Sequence, residues 1–190
     1  YMVSLKIRQR CRLGSQLQGE TGQCWNMVWV LNRRGAHCRW RRFQPDVIFS
    51  IACPQILKKS TFKIPMKGSY NIHSSLLPKI RGINALFWAL RFREPETGVT
   101  IHKINCTIDG GVIYLQEKIN ISNMYSLDSL YSNVIKIGAS MVCQFLNNLD
   151  HYKNTNTKNA PTECGSYFSF PRRKDRMAFK RAGNKFFRLF

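Results

Sequence analysis

The run Asp46-Val47-Ile48-Phe49-Ser50-Ile51-Ala52 is apolar at nearly every position. A strand with one wet face alternates, whereas one that does not alternate must be covered on both faces, as in a sheet held between helices. The following segments fit that demand. Pro54 suits the first turn of a short helix over Gln55–Phe62. Ser69–His73 reads as the next strand, and Asn84–Phe92 as a helix that buries Leu86, Trp88, Ala89 and Leu90. Val99 and Ile101 alternate within Gly98–Ile104, and Ile113, Leu115, Ile119 and Ile121 keep a period of two further on. Between these strands the turn Asp109-Gly110-Gly111 supplies residues that tolerate positive φ. The clearest helix carries Leu127, Leu130, Val134, Ile137, Met141, Phe145 and Leu149 at spacings of three and four, with Ser126 as its N-cap. The pattern predicts an α/β core over residues 43–150 with a mostly parallel sheet.

The two ends differ from this core. Of the chain's formal net charge of +20, residues 1–42 supply nine basic residues against one acid, and residues 165–190 eight against one. Residues 1–42 also hold Trp25, Trp29 and Trp40 and three of the seven cysteines without a sustained period. They are expected to be a poorly ordered or out-of-frame segment, with at most a short strand or helical turn over Gln23–Leu31. Asn147–Lys158 is polar and Asn-rich, a linker. Residues 151–190 end in a basic, aromatic appendage with a helix over Asp175–Ala182. Charge of this sign attracts polyanions, RNA among them, but it describes the ends more than the core.

Other classes are set aside on similar grounds. No run of roughly 18 apolar residues suggests a membrane span, and arginines interrupt the first residues before a signal-peptide core can form. Seven scattered cysteines with no C-x-x-C suggest reduced thiols and a cytoplasmic protein. Cys11, Cys24, His37 and Cys38 lack the paired spacing of a zinc site, so no metal is expected.

The chemistry concentrates in Asn71-Ile72-His73-Ser74-Ser75-Leu76-Leu77-Pro78-Lys79-Ile80-Arg81-Gly82, then Thr97-Gly98-Val99-Thr100-Ile101-His102, then Asp109-Gly110-Gly111. Asn71 and His73, two apart on a strand, share a face. At the carboxyl end of a parallel strand that face meets the crevice where α/β domains bind ligands. An aspartate in the later turn could orient or charge the histidine. A lone histidine is more often structural; the Pro-Arg-Gly loop and the Asp-Gly-Gly turn point to a site.

These segments resemble the folate-dependent formyltransferases, whose pattern is Asn-x-His-x-Ser-Leu-Leu-Pro-x-x-Arg-Gly, then Thr-Gly-Val-Thr, then an aspartate in a short glycine-containing turn. The resemblance covers about residues 44–146 and implies a Rossmann-like formyltransferase domain, methionyl-tRNA formyltransferase-like, with an incomplete first half. It implies a triad of Asn71, His73 and Asp109. Asn71 and a protonated His73 would donate to the oxyanion formed when an amine attacks the formyl carbon of 10-formyltetrahydrofolate. Asp109 would keep His73 charged and help pass the proton to the leaving nitrogen. By the same resemblance Pro54, Gln55, Ile56 and Leu57, with Thr107 and Ile108, line the folate pocket, and Ser75, Arg81 and Gly82 belong to the substrate loop.

Departures from the pattern are Ile80 in place of the usual aromatic and Ala85 in place of a common proline. His102 is expected to be a surface or strand residue rather than a catalyst. The implied acceptor is initiator methionyl-tRNA, or alternatively the amino group of a nucleotide-linked sugar, since Phe87-Trp88-Ala89-Leu90 resembles the sugar-amine branch of the family more than the tRNA branch. An inactive truncated remnant and a basic RNA-binding scaffold are the other readings. No membrane and no obligate protein partner are implied.

Overall fold

A computed structural model describes residues 15–18, 24–30, 44–53, 56–123, 126–154, 158–159 and 165–187. Nine strands and five helices follow one another among them. The main sheet contains β1 (Ser15–Gln18), β2 (Cys24–Val30), β3 (Val47–Ile51), β4 (Gly68–His73), β6 (Glu96–Lys103), β7 (Val112–Asn120) and β8 (Lys158–Asn159), in the spatial order β1-β2-β3-β4-β6-β7-β8. β2, β3 and β4 pair in parallel. The pairings of β1 with β2, β4 with β6, β6 with β7 and β7 with β8 are antiparallel. The parallel arrangement expected from sequence thus holds in the block that carries Asn71 and His73, while the strands beyond β4 reverse in turn. A second, two-stranded sheet joins β5 (Arg81–Gly82) to β9 (Tyr167–Phe168) in parallel.

The strand alternative for Gln23–Leu31 is the one realised, since β2 lies beside β3 with Val28 opposite Ile48. Cys11, His37 and Cys38 lie outside the described residues, among which no group of three or more metal-ligating side chains occurs. No helix among them is long and apolar enough to cross a membrane. The short helix expected over Gln55–Phe62 is confined to α1 (Lys59–Phe62), and Pro54 and Gln55 lie outside the described residues. The region read as a polar linker holds α4 (Leu149–Asn154) and β8, which extends the sheet edge beside Val112 and Ile113.

The sheet's two faces have opposite chemistry, set by the period of the strand. On one face Tyr70 of β4 is fully buried against Phe49 and Phe145, with ring centroids 5.7 Å and 4.8 Å away. α3 (Leu127–Asn147) covers this face with Leu130, Val134, Met141 and Phe145, as its three-four spacing requires. At Gly138 a Cβ would meet Ile72 and Val99 at ordinary van der Waals distance, so the helix lies against the sheet there without requiring glycine. Ser126 precedes α3, but its hydroxyl bonds the Asp128 carboxylate and caps no helix amide. The other face of β4 and β6 carries Asn71, His73, Thr100 and His102.

α2 (Ala85–Arg91) buries almost every side chain it has. The reason is the C-terminal segment, whose α5 (Arg173–Arg181) folds back over it. Phe179 is fully buried and stacks on Phe87 at 4.7 Å, and the Trp88 indole N–H donates to the Ser169 carbonyl. Asn184 donates to the Leu90 carbonyl from a buried position.

Candidate active site

β4 ends at His73, and the chain then makes a tight loop back to β5. Buried polar side chains fasten that loop. Ser75, 1% exposed, turns its hydroxyl onto the carbonyls of Lys79 and Ile80. The Thr100 hydroxyl donates to the Ser75 carbonyl and accepts from Leu77 N–H and the Gln116 amide. Gly98 lies so close to Leu76 and the Glu117 carbonyl that a Cβ could not be placed there. The Thr-Gly-Val-Thr segment is thus a clamp on the loop, with Gly98 giving room and Thr100 supplying the bonds. Ser75, expected to act in the substrate loop, is turned inward and holds that loop's shape.

Asp109 is the hub of the cluster. Its φ of 50° shows that the positive φ expected of the Asp109-Gly110-Gly111 turn falls on the aspartate itself. Gly111 is required for a different reason, since a Cβ there would collide with the Lys103 carbonyl. One carboxylate oxygen accepts the Gly82 N–H at 2.8 Å and lies 3.6 Å from His73 Nδ1. The other accepts Asn71 Nδ2 at 3.2 Å and lies 3.4 Å from His102 Nε2. Gly82 has a φ of 99°, and a side chain there would strike the Phe168 carbonyl, so its amide reaches Asp109 only as glycine. Arg81 does not face the cluster; its guanidinium donates to the Gly165 carbonyl and fastens the C-terminal segment.

The three residues expected to form a triad are therefore brought together, and a fourth joins them. His102, expected at the surface or as a plain strand residue, is on strand β6 but is buried at 3% exposure. It sits directly opposite Asn71, with Nε2 3.1 Å from Asn71 Nδ2 and Nδ1 3.1 Å from the Lys103 carbonyl. The signal was its phase. Gly98, Thr100 and His102 share one face if Val99 and Ile101 share the other, and that face is the one that meets Asn71 and His73.

The electrostatics differ from expectation at His73. Burial pushes its imidazole below the ordinary value, and the Asp109 charge and Ile80 carbonyl only partly oppose this. His73 is therefore held toward its neutral form, not charged by Asp109 as expected. Nε2 faces the Ile80 carbonyl at 2.9 Å, so it carries the proton and leaves Nδ1 open toward Asp109. Burial also pushes Asp109 upward, but the two histidines beside it and the Gly82 N–H outweigh it and hold the carboxyl at about 2. Because Asn71 Nδ2 points at both Asp109 and His102, its hydrogens are engaged inside the cluster at rest.

Of the residues expected around a folate, Ile56 is 76% and Ile108 40% exposed, Leu57 is half-buried and Thr107 exposed. The Thr107 N–H is taken by the Asn105 side chain, which shapes the loop that delivers Asp109.

The sequence profile of the formyl transferase family matches residues 33–146. Methionyl-tRNA formyltransferase of Kosmotoga olearia is 40% identical over 106 residues, 56% of this chain and 34% of that protein. The bifunctional polymyxin resistance protein ArnA of Wigglesworthia glossinidia brevipalpis is 43% identical over 93 residues, 49% of this chain and 14% of that protein. Among solved structures, the sugar 3N-formyl transferase WlaRD, determined with dTDP and 5-N-formyl-THF, superposes with a TM-score of 0.57 at 32% identity, covering 68% of this chain and 45% of that one. Phosphoribosylglycinamide formyltransferase of Bacillus halodurans gives a TM-score of 0.55 at 26% identity, covering 59% of this chain and 58% of that one. The chain spans about a third of the length of the methionyl-tRNA formyltransferases it matches. With a profile match over more than half its length, centred on the Asn71, His73 and Asp109 cluster, the chain belongs to the formyl transferase family.

Proposed function

We propose that this chain carries the catalytic centre for transfer of a formyl group from 10-formyltetrahydrofolate to a primary amine. The observation that carries the reading is the buried contact of His73 Nδ1 with the Asp109 carboxylate at 3.6 Å, beside Asn71. The donor supplies a formyl carbon open to attack by the amine. The exposed Ile56 and Ile108 and the half-buried Leu57 fit a flat pterin, which would cover apolar surface now in water.

His73 takes the proton from the attacking amine at Nδ1. The imidazolium so formed has an acceptor at each nitrogen, the Ile80 carbonyl at Nε2 and Asp109 at Nδ1, so neither new charge nor new donor is left unpaired. Asp109 stays ionised throughout, because it titrates at about 2. A developing oxyanion is a stronger acceptor than an imidazole nitrogen, so one Asn71 Nδ2 hydrogen passes from His102 to the oxyanion while the other stays on Asp109. His73 then returns its proton to the departing nitrogen.

For the acceptor, we propose initiator methionyl-tRNA, on the strength of the methionyl-tRNA formyltransferases among the relatives. A nucleotide-linked amino sugar is the second reading, favoured by the likeness to WlaRD over 68% of the chain. Incubating the chain with formyl donor and each amine in turn decides between them.

The donor reading is tested by thermal unfolding with and without 5-formyltetrahydrofolate. A ligand that binds only the folded chain stabilises it by about 2.7 kcal/mol at a hundredfold excess over its Kd. The parent and the His73→Ala variant should both show the rise, while transfer by the variant falls about 10²- to 10⁴-fold. A cooperative transition that the folate does not move, in the parent, would sink the proposal and favour an inactive scaffold.

A further inference from the structure

On the outer side of α5 lies a cavity of about 310 Å³ lined by Arg173, Arg176, Met177, Lys180 and Phe186. It is separate from the Asn71, His73 and Asp109 cluster and plays no part in the chemistry above. Residues 173, 176, 177 and 180 are spaced by three and four, so they share one helical face, and Phe179 at its flank turns into the core. Arg172 and Arg173, Lys174, Arg176, Lys180 and Arg181 stand against the single acid Asp175, which accepts the Arg172 N–H at the helix start. No ion pair to Arg173, Arg176 or Lys180 is found among the described residues. Like charges at these spacings repel, so the stripe is a field without an internal counter-charge.

The floor of the cavity is apolar. The Phe186 ring packs against Phe179 at 4.8 Å and, nearly parallel, Phe87 at 6.2 Å, which fixes it while it lines the cavity. Met177, 46% exposed, lies beside it as a soft, polarisable contact. Arg173, Arg176 and Lys180 border this apolar floor with their stems while their exposed cationic heads reach water at its rim, an arrangement that suits a doubly charged anion joined to a planar group. Arginine forks match phosphate oxygens, and a fixed ring face and a thioether accept a base.

We propose that this cavity binds a nucleoside phosphate, with the phosphate on Arg173, Arg176 and Lys180 and the base on Phe186 and Met177. The same chemistry is offered by a free nucleotide and by a nucleotide of single-stranded RNA. The site needs no folate and no formyl transfer, so it stands or falls apart from the proposed catalytic function.

The test is calorimetric titration of the full chain with ADP, adenosine, pyrophosphate and a short single-stranded RNA, at about 50 and about 200 mM salt. Saturable 1:1 binding of ADP, with adenosine and pyrophosphate each at least about tenfold weaker, is the expected result, because both halves of the site are then used. The doubly substituted chain Arg176→Ala, Lys180→Ala should lose about tenfold or more in ADP affinity while keeping its unfolding midpoint, since both side chains are on the outer face. Met177→Ala should weaken ADP but leave pyrophosphate unchanged. RNA binding more than about tenfold tighter than ADP and falling steeply with salt assigns the site to a strand, and comparable affinities assign it to a free nucleotide. Pyrophosphate binding as tightly as ADP, or no saturable binding by any probe, would overturn the proposal and leave a solvated cationic helix.

Discussion

Two loops leave the same edge of the parallel block, and they are built in opposite ways. The loop after β4 turns polar groups inward. Ser75 and Thr100 are buried, and their hydroxyls bond backbone carbonyls and amides of the loop itself. The described part of the loop after β3 turns an apolar group outward, Ile56, which is matched by Ile108 on the segment that delivers Asp109. Buried polar groups are costly unless every partner is in place, so the first loop is fixed by the chain alone. An exposed isoleucine contributes nothing until something covers it. On the proposed function, the catalytic side of the site is therefore held in shape by the chain itself, and the donor side gains its energy only on binding.

Removing the charge at the hub should produce the largest effect. Asp109→Asn keeps the size but loses the anion that stabilises protonated His73 and accepts the Gly82 N–H. Single-turnover transfer should fall by about 10²- to 10⁴-fold, the usual worth of a positioned acid–base partner. The same variant has a signature in stability. The Asp109 carboxyl is held at about 2 in the folded chain against 3.8 ordinarily. Its contribution, on the order of 2 kcal/mol, is present above pH 3.8 and is lost as pH falls toward 2. Acid unfolding of Asp109→Asn should lack that component. A variant with the parent's acid profile would show that Asp109 is not a buried, paired anion.

His73 has the opposite sign. Burial lowers its pKa below 6.5, so the folded chain favours the neutral ring and the unfolded chain takes up the proton first. Stability from this group is present above pH 6.5 and declines as pH falls below it. Because the neutral ring is the base, the acid limb of kcat/KM should also lie below pH 6.5. An acid limb above that value would mean that the imidazole is charged at rest, as the sequence alone suggested.

The next effect is on the clamp. Thr100→Val keeps the shape but strands the Ser75 carbonyl, the Leu77 N–H and one bond of the Gln116 amide. Roughly 2–4 kcal/mol of stability should be lost, measured as a shift of the denaturant midpoint at constant slope, since each stranded group costs about 1–3 kcal/mol and Gln116 keeps its bond to the Leu77 carbonyl.

How far the sequence reached follows from the same contrast. Strand and helix positions were legible wherever burial leaves a pattern, an unbroken apolar run in β3 and a period in β6 and α3. Asn71, His73 and Asp109 were legible as a polar pair on one strand face ahead of a Pro-Arg-Gly loop and an Asp-Gly-Gly turn, and the resemblance to the formyltransferases joined them into a triad. What was not legible depends on partners far along the chain. The role of Ser75 requires knowing that Thr100 lies across from His73. The burial of α2 on nearly all sides requires the return of α5, a segment whose charge hides the single buried face made by Phe179. The neutral bias of His73 is a property of depth, which no spacing reports.

The smallest effect should come from the exposed loop, and it tests the other side of the contrast. Ile56→Ser removes apolar surface that is 76% exposed, so the free chain loses no packing and its unfolding midpoint should stay within about 0.5 kcal/mol of the parent. If the donor covers this residue, the variant loses part of the roughly 1.5–3 kcal/mol that full burial of such a side chain provides. A partial cover worth about 1 kcal/mol weakens 5-formyltetrahydrofolate about fivefold, with single-turnover rates at saturating donor unchanged. Thr100→Val and Ile56→Ser should thus trade places, one losing stability and the other losing only donor affinity. If Ile56→Ser instead lowered the midpoint as much as Thr100→Val does, the isoleucine would be packed within the fold, and the donor side would be as fully built in the free chain as the catalytic side.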